Sequence, residues 1–216
     1  METKIEDKKK FHKKETKESQ VNVKESKRSV QKSDFYENLA LTIKSMSLQS
    51  KRDIGKILII GKNLISVYNA MNSVFPDAYY VVSNESQSNL NQFIKQFDLH
   101  TSIKIRVLDI FDGSSLTDFY LESGKFDLIV LSGIFDEYEL SNRKKRSSIV
   151  FLHKNFLNIN GIFTILNGEK ELTEELINLL KKIKTFKKVI KSYQNQQKSL
   201  KYLILTKKSR LKLFGE

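Results

Sequence analysis

Four stretches of this chain place small or polar residues directly after apolar runs. They are Gly61-Lys62-Asn63 after KILII, Asn84-Glu85 after AYYVVS, Asp109-Ile110 after IKIRVL, and Ser132 closing FDLIVLS. Each residue type has its own chemical use. Glycine lets a backbone approach a ligand, and Asn63 can follow it with a positive φ that most residues avoid. A carboxylate such as Glu85 or Asp109 offers lone pairs to two donors at once. Asp136 and Glu137 have the chemistry of a general base, and equally that of solvated loop acids. Bland roles compete at the other positions too. Ser83 or Asn84 suits a helix N-cap, and Asp109, close to Asp112-Gly113, suits a turn.

The elements that must position these residues alternate in type. Strand-like runs cover 56–60, 78–83, 103–108, 126–132 and 161–166, and helix-length segments cover 63–74, 86–97, 114–122, 139–157 and 170–183. Such alternation predicts a parallel sheet with helices on both faces. Ligands in open sheets of this kind bind beyond the carboxyl ends of the strands. Two further strands, 185–193 and 198–208, are separated only by Gln194–Gln197. Four residues cannot hold a crossover helix, so these strands must pair antiparallel. An additional helix is expected from Asp34, with Phe35, Leu39, Leu41 and Ile43 at helical spacing behind an Asp N-cap.

Five parallel strands finished by a sixth and an antiparallel seventh resemble the class I S-adenosylmethionine-dependent methyltransferases, over about residues 35–208. FDLIVL and the later HKNFLNINGIFTIL are very similar to the family's fourth and fifth strands. The resemblance implies a Rossmann-like three-layer α/β sandwich with a mostly parallel seven-stranded sheet, and S-adenosylmethionine as cofactor. It also implies roles for residues. Gly61 stands at the first glycine of the family's Gly-x-Gly-x-Gly turn, with Lys62, Asn63 and Leu64 replacing the rest and Ile59 at the usual acidic position. Asn84 or Glu85 falls where the family binds the ribose hydroxyls, and Asp109 with Ile110 where it holds adenine. Ser132, at the end of the fourth strand, completes the implied cofactor set. No catalytic residue is implied. SGIFDEY stands where some nucleic-acid enzymes carry Asn/Asp-Pro-Pro-aromatic, and Leu166 where ribose 2′-O enzymes carry a lysine.

Charge bears on the partner. The 38 Lys and Arg against 25 Asp and Glu give +13, unevenly spread. Residues 1–34 hold 11 against 7, residues 181–216 hold 12 against 1, and Arg143–Arg146 reads RKKR. Clustered cations favour a polyanion through counterion release. RNA, ribosomal or transfer, is therefore the expected partner, gripped by the basic ends and by Arg143–Arg146. Residues 1–33 have too few large apolar side chains to fold and read as a disordered basic tail. A domain is expected over 34–208 and a basic tail over 209–216. The chain has no cysteine, and His12, His100 and His153 are scattered, so no metal site is expected. The absence of a long apolar run predicts a cytoplasmic protein without a membrane span. Three functions compete: an RNA methyltransferase, a non-catalytic RNA- or ribosome-binding protein on the same fold, and a small-molecule methyltransferase.

Overall fold

A computed structural model of the chain describes residues 35–97, 102–135, 142–167, 172, 174–181, 186–189 and 202–207. The expected tails, His12 and His100, Asp136 and Glu137, the Asp34 cap and the turn at Gln194–Gln197 lie outside the described residues.

Seven strands form one sheet: β1 (Lys56–Gly61), β2 (Tyr79–Asn84), β3 (Ile103–Val107), β4 (Phe126–Ser132), β5 (Leu157–Leu166), β6 (Phe186–Val189) and β7 (Tyr202–Lys207). Their order is β3-β2-β1-β4-β5-β7-β6. The pairs among β1 to β5 are parallel, and β7 runs antiparallel to both β5 and β6. The expected Rossmann-like α/β sheet and its reversed last strand are present. The short β6 contributes only an edge.

Central strands are apolar on both faces because helices cover both. Ile57, Ile59, Tyr80, Val82, Leu128 and Val130 turn to one face. There they meet a helix described over 35–49 (α1), α2 (Leu64–Val74) and α3 (Gln87–Gln96). Leu58, Ile60, Val81, Ile129 and Leu131 turn to the other. These pack on α4 (Gly113–Ser123), α5 (Asn142–Phe151) and α6 (Glu174–Lys181). The two-residue alternation of a strand produces this division. In α2, Leu64, Val67, Tyr68 and Met71 recur at three- and four-residue steps, so one stripe is buried. Tyr68 then stands edge-on to Tyr80 and Phe93, with ring centroids 5.0 and 5.5 Å apart.

Local details differ from the sequence expectations. Leu41, expected in the α1 stripe, is exposed, while Phe35, Leu39 and Ile43 are buried. The helix expected over 139–157 becomes a π-helical turn at Leu152–Phe156, and β5 begins at Leu157 rather than at 161. An irregularity in β5 explains the early start: Phe126 pairs with Leu157, but Leu128 pairs with Ile162. Asn160 takes φ 65° within it. Among the described residues no helix is long and apolar enough to cross a membrane.

Candidate functional site at the carboxyl edge of the sheet

The parallel strands all end at one edge, and the sequence-proposed residues gather there. Gly61 ends β1 with φ 112°. A Cβ at this position would fall onto the Ser132 carbonyl oxygen and within 2.6 Å of Ile134 Cγ1. Packing between β1 and β4 therefore demands the glycine, irrespective of any ligand. The Lys62 N–H donates to the Ser132 carbonyl at 2.7 Å and carries the pairing one step beyond the strands. Asn63 adopts the left-handed conformation expected of it, φ 53° and ψ 33°, and turns the chain into α2.

Asn84, buried at the end of β2, ties neighbouring loops together. Its Nδ2 donates to the Gly61 carbonyl at 2.6 Å. Its Oδ1 accepts from the Ser86 N–H at 2.7 Å and from Asn89 Nδ2 at 3.2 Å. An aspartate could accept those two bonds but could not donate the third. Asn84 thus positions the turn, and the N-cap of α3 is Ser86 rather than Ser83 or Asn84. Asp109 has a similar local task, since its Oδ1 accepts from the Phe111 N–H at 2.7 Å. Asp112 belongs to α4 as its N-cap, accepting from the Ser114 and Ser115 N–H groups. The Ser114 hydroxyl, which also donates to it, and then these backbone bonds hold its carboxyl below the usual range.

Between the loops lies a cleft of about 530 Å³, open solvent at its mouth included. Gly61, Lys62, Asn84, Glu85 and Ile110 line it, joined by Leu108, Phe111, Ile134, Gly133 and Asn89, which sequence reasoning missed. Three expected residues do not line it. Asn63 opens onto a neighbouring groove. Ser132 is completely buried and meets the site only through its carbonyl. Asp109 is near enough to Glu85 to act on it electrostatically. Apolar Phe111 and Ile134 carried no signal, because only the fold brings them beside the polar residues.

Charge in the cleft is concentrated at Glu85. Desolvation, and then the proximity of Asp109, raise its carboxyl above the usual range, while Lys62 pulls the other way. The stem of Lys62 covers Gly133, whose added Cβ would come within 3.2 Å of Lys62 Cβ. The cleft therefore offers an apolar wall, one poised carboxylate and one cation. Such a combination suits a nucleoside-sized ligand, with hydroxyl donors on one side and a planar apolar body on the other.

No protein-family model and no curated protein matches the sequence. Solved structures resemble its fold. The chain is similar to the CurJ carbon methyltransferase at 13% identity and a TM-score of 0.55, covering 73% of this chain. It spans about half, 49%, of that protein's length. It is similar to the plantazolicin methyltransferase BpumL in complex with SAH (13% identity, TM-score 0.58, 81% of this chain and 83% of that one). It is also similar to the Methanococcus jannaschii fibrillarin pre-rRNA processing protein (12% identity, TM-score 0.53, 71% and 66%). The fold is that of the class I S-adenosylmethionine-dependent methyltransferases. At these identities the likeness is one of architecture.

Proposed function

We propose that this chain is an S-adenosylmethionine-dependent methyltransferase whose substrate is RNA. The observation that carries the cofactor assignment is the cleft at the carboxyl ends of β1 to β4, with Glu85 at its rim and Ile110, Leu108 and Phe111 in its wall. Of the two β2 candidates, Asn84 already uses its amide to hold the Gly61 turn. The carboxylate lining the cleft is Glu85, and we assign it to a pair of ribose hydroxyls. Ile110 supplies apolar surface for the adenine, and Asp109, fixed through the Phe111 N–H, keeps that loop in place. Gly61 and Lys62 border the remaining end of the ligand. The residues present fit the group. The chemistry supplied by the bound cofactor is a sulfonium-activated methyl group. The chain's own part is orientation and exclusion of water, which can carry much of the rate of a displacement.

RNA as substrate rests on charge and place. Because α5 follows parallel strand β4, its first turn starts at the same edge as the cleft. Arg143, Lys144 and Arg146 are exposed there, and no acid stands in that turn. Cations at a helix N-terminus oppose the macrodipole, so an anionic partner relieves a local cost. A fold neighbour is itself a pre-rRNA processing protein.

The test is transfer of labelled methyl groups from S-adenosylmethionine to cellular RNA. Wild type should label RNA, and Glu85→Ala should label it at least tenfold less. Label appearing only in a small-molecule fraction would overturn the substrate class. The Lys62 stem lying over Gly133 favours a second reading, a non-catalytic RNA binder. That reading predicts RNA binding with no methyl transfer from either protein.

A further inference from the structure

A second groove adjoins the cleft, and nothing assigned so far uses it. It measures about 920 Å³, open solvent included, and lies between the start of α2 and the face of α3. Gly61, Lys62 and Asn89 line both spaces, so groove and cleft form one continuous path around the end of β1. Their chemistry differs. The cleft sets the apolar side chains of Leu108, Ile110, Phe111 and Ile134 beside a carboxylate. The groove gathers three carboxamides, Asn63, Asn89 and Gln92, with the hydroxyl of Ser66, and no carboxylate.

These groups are available to a ligand. Asn63 makes no side-chain capping bond to α2. Asn89 uses its Nδ2 on Asn84, and its Oδ1 makes no hydrogen bond among the described residues. Gln92 and Ser66 have no side-chain hydrogen bond among the described residues, whereas the neighbouring Gln87 pairs with Asn91. A carboxamide presents donors and an acceptor side by side, the arrangement found along the edge of a nucleobase. A phosphate would want cations, and Lys62 is the groove's only one. A purely apolar ligand would make no use of the Asn63 and Gln92 carboxamides.

We propose that this groove takes an unpaired nucleobase of the substrate RNA, read by Asn63, Asn89 and Gln92, while the cleft beside it holds the cofactor. The assignment rests on the reading of the protein as an RNA methyltransferase and adds to it a base-binding subsite. It differs from the role of the α5 cations, which would grip phosphate without regard to base. Asn89 joins the two spaces, because its amide reaches the same Asn84 that fixes the Gly61 turn.

Fluorescence anisotropy with a short labelled single-stranded RNA, and with an abasic oligonucleotide of equal length, tests the proposal. Both probes are titrated into the full-length protein. Wild type should bind the RNA more tightly than the abasic strand. Gln92→Ala, and Gln92→Ala combined with Ser66→Ala, should weaken RNA binding by about threefold and tenfold, the scale of one and of two neutral hydrogen bonds. Abasic binding should stay the same. Gln92 is exposed and Ser66 half-buried, so the helices should fold in both variants, which circular dichroism would check. Equal affinity of wild type for the two probes, failure to bind RNA, or variants that bind RNA like wild type would each overturn the subsite. Calorimetry with S-adenosylhomocysteine on the same proteins separates the two layers. Loss of base preference with intact S-adenosylhomocysteine binding supports the subsite, while a wild type that never binds S-adenosylhomocysteine sinks the cofactor reading whatever the RNA probes show.

Discussion

Two carboxylates at opposite edges of the sheet show how structure and function divide the molecule. Asp127, at the amino edge, is fully engaged. Its Oδ2 accepts from the Gly55 and Lys56 N–H groups at 3.1 and 3.0 Å, and its Oδ1 accepts from Asn158 Nδ2 at 2.7 Å. Lys56 beside it donates to the Ser123 carbonyl and lies over the Phe126 ring, 4.9 Å from the centroid. Burial lowers the Lys56 ammonium below its usual range, with Lys104 adding to the effect and Asp127 opposing it. This cluster fastens β1, β4 and β5 at their starts. Glu85, at the carboxyl edge, faces a cleft in which desolvation and Asp109 make its charge costly. One carboxylate thus fastens strand starts, and the other lines the cleft proposed as the cofactor site.

The largest effect expected from breaking this contrast is at Gly61. Gly61→Ala forces a side chain onto the Ser132 carbonyl at an unfavourable φ. Overpacking and backbone strain together should cost about 3 kcal/mol or more. Thermal denaturation should show a midpoint lowered by roughly 10 °C for a domain of this size. An unchanged midpoint would show that the edge is looser than described. Asp127→Ala comes next, because it leaves two backbone donors and Asn158 without their partner. We expect a loss of about 2–3 kcal/mol in urea unfolding, with ligand binding retained. Weaker ligand binding at full stability would reverse the roles of the two edges.

Asn84→Asp sharpens the comparison within the site. It keeps the shape and the two accepted bonds but sets a carboxylate oxygen against the Gly61 carbonyl. A loss of about 1–3 kcal/mol is expected, together with faster amide exchange at Lys62 and Asn63. Exchange rates equal to wild type would remove Asn84 from the positioning role.

Glu85→Gln should give the smallest change in stability, and in the opposite direction. A carboxyl raised in the folded state binds protons more readily folded than unfolded, so ionising it disfavours folding. The stability it withholds grows as pH rises from the unfolded pKa through the raised folded one and is complete above both. Since Glu85 is solvent-exposed, the gain in Glu85→Gln should be under about 0.5 kcal/mol at neutral pH and vanish in acid. Stabilisation that persists in acid would deny the desolvation assigned to Glu85.

Much of the fold was legible in the sequence because the alternation of apolar strands and helical stripes is a local pattern. KILII and FDLIVLS read as strands covered on both faces. The antiparallel pairing of the last two strands was also expected, although they are described only over Phe186–Val189 and Tyr202–Lys207, shorter than the expected 185–193 and 198–208. The irregular start of β5 was hidden, since it depends on how Leu157 and Ile162 pair with β4. The site was half legible. Small and polar residues after strands pointed to Gly61, Lys62, Asn84 and Glu85, and the resemblance to Ile110; all five line the candidate cleft. Sequence could not say that Asn84 turns inward onto Gly61, or that Ser132 offers only its backbone. Those are facts of how neighbouring strands meet. Phe111, Ile134 and the amides of α3 join the site only through tertiary packing.

The most direct test of the central claim is isothermal titration calorimetry of S-adenosylmethionine and S-adenosylhomocysteine into wild type, Glu85→Ala and Asp127→Ala. Wild type should bind both ligands, Glu85→Ala should bind them about 1–3 kcal/mol more weakly, and the Asp127→Ala protein that remains folded should bind with near wild-type affinity. Equal binding by wild type and Glu85→Ala, or no binding by wild type, would contradict the assignment of the carboxyl-edge cleft as the cofactor site.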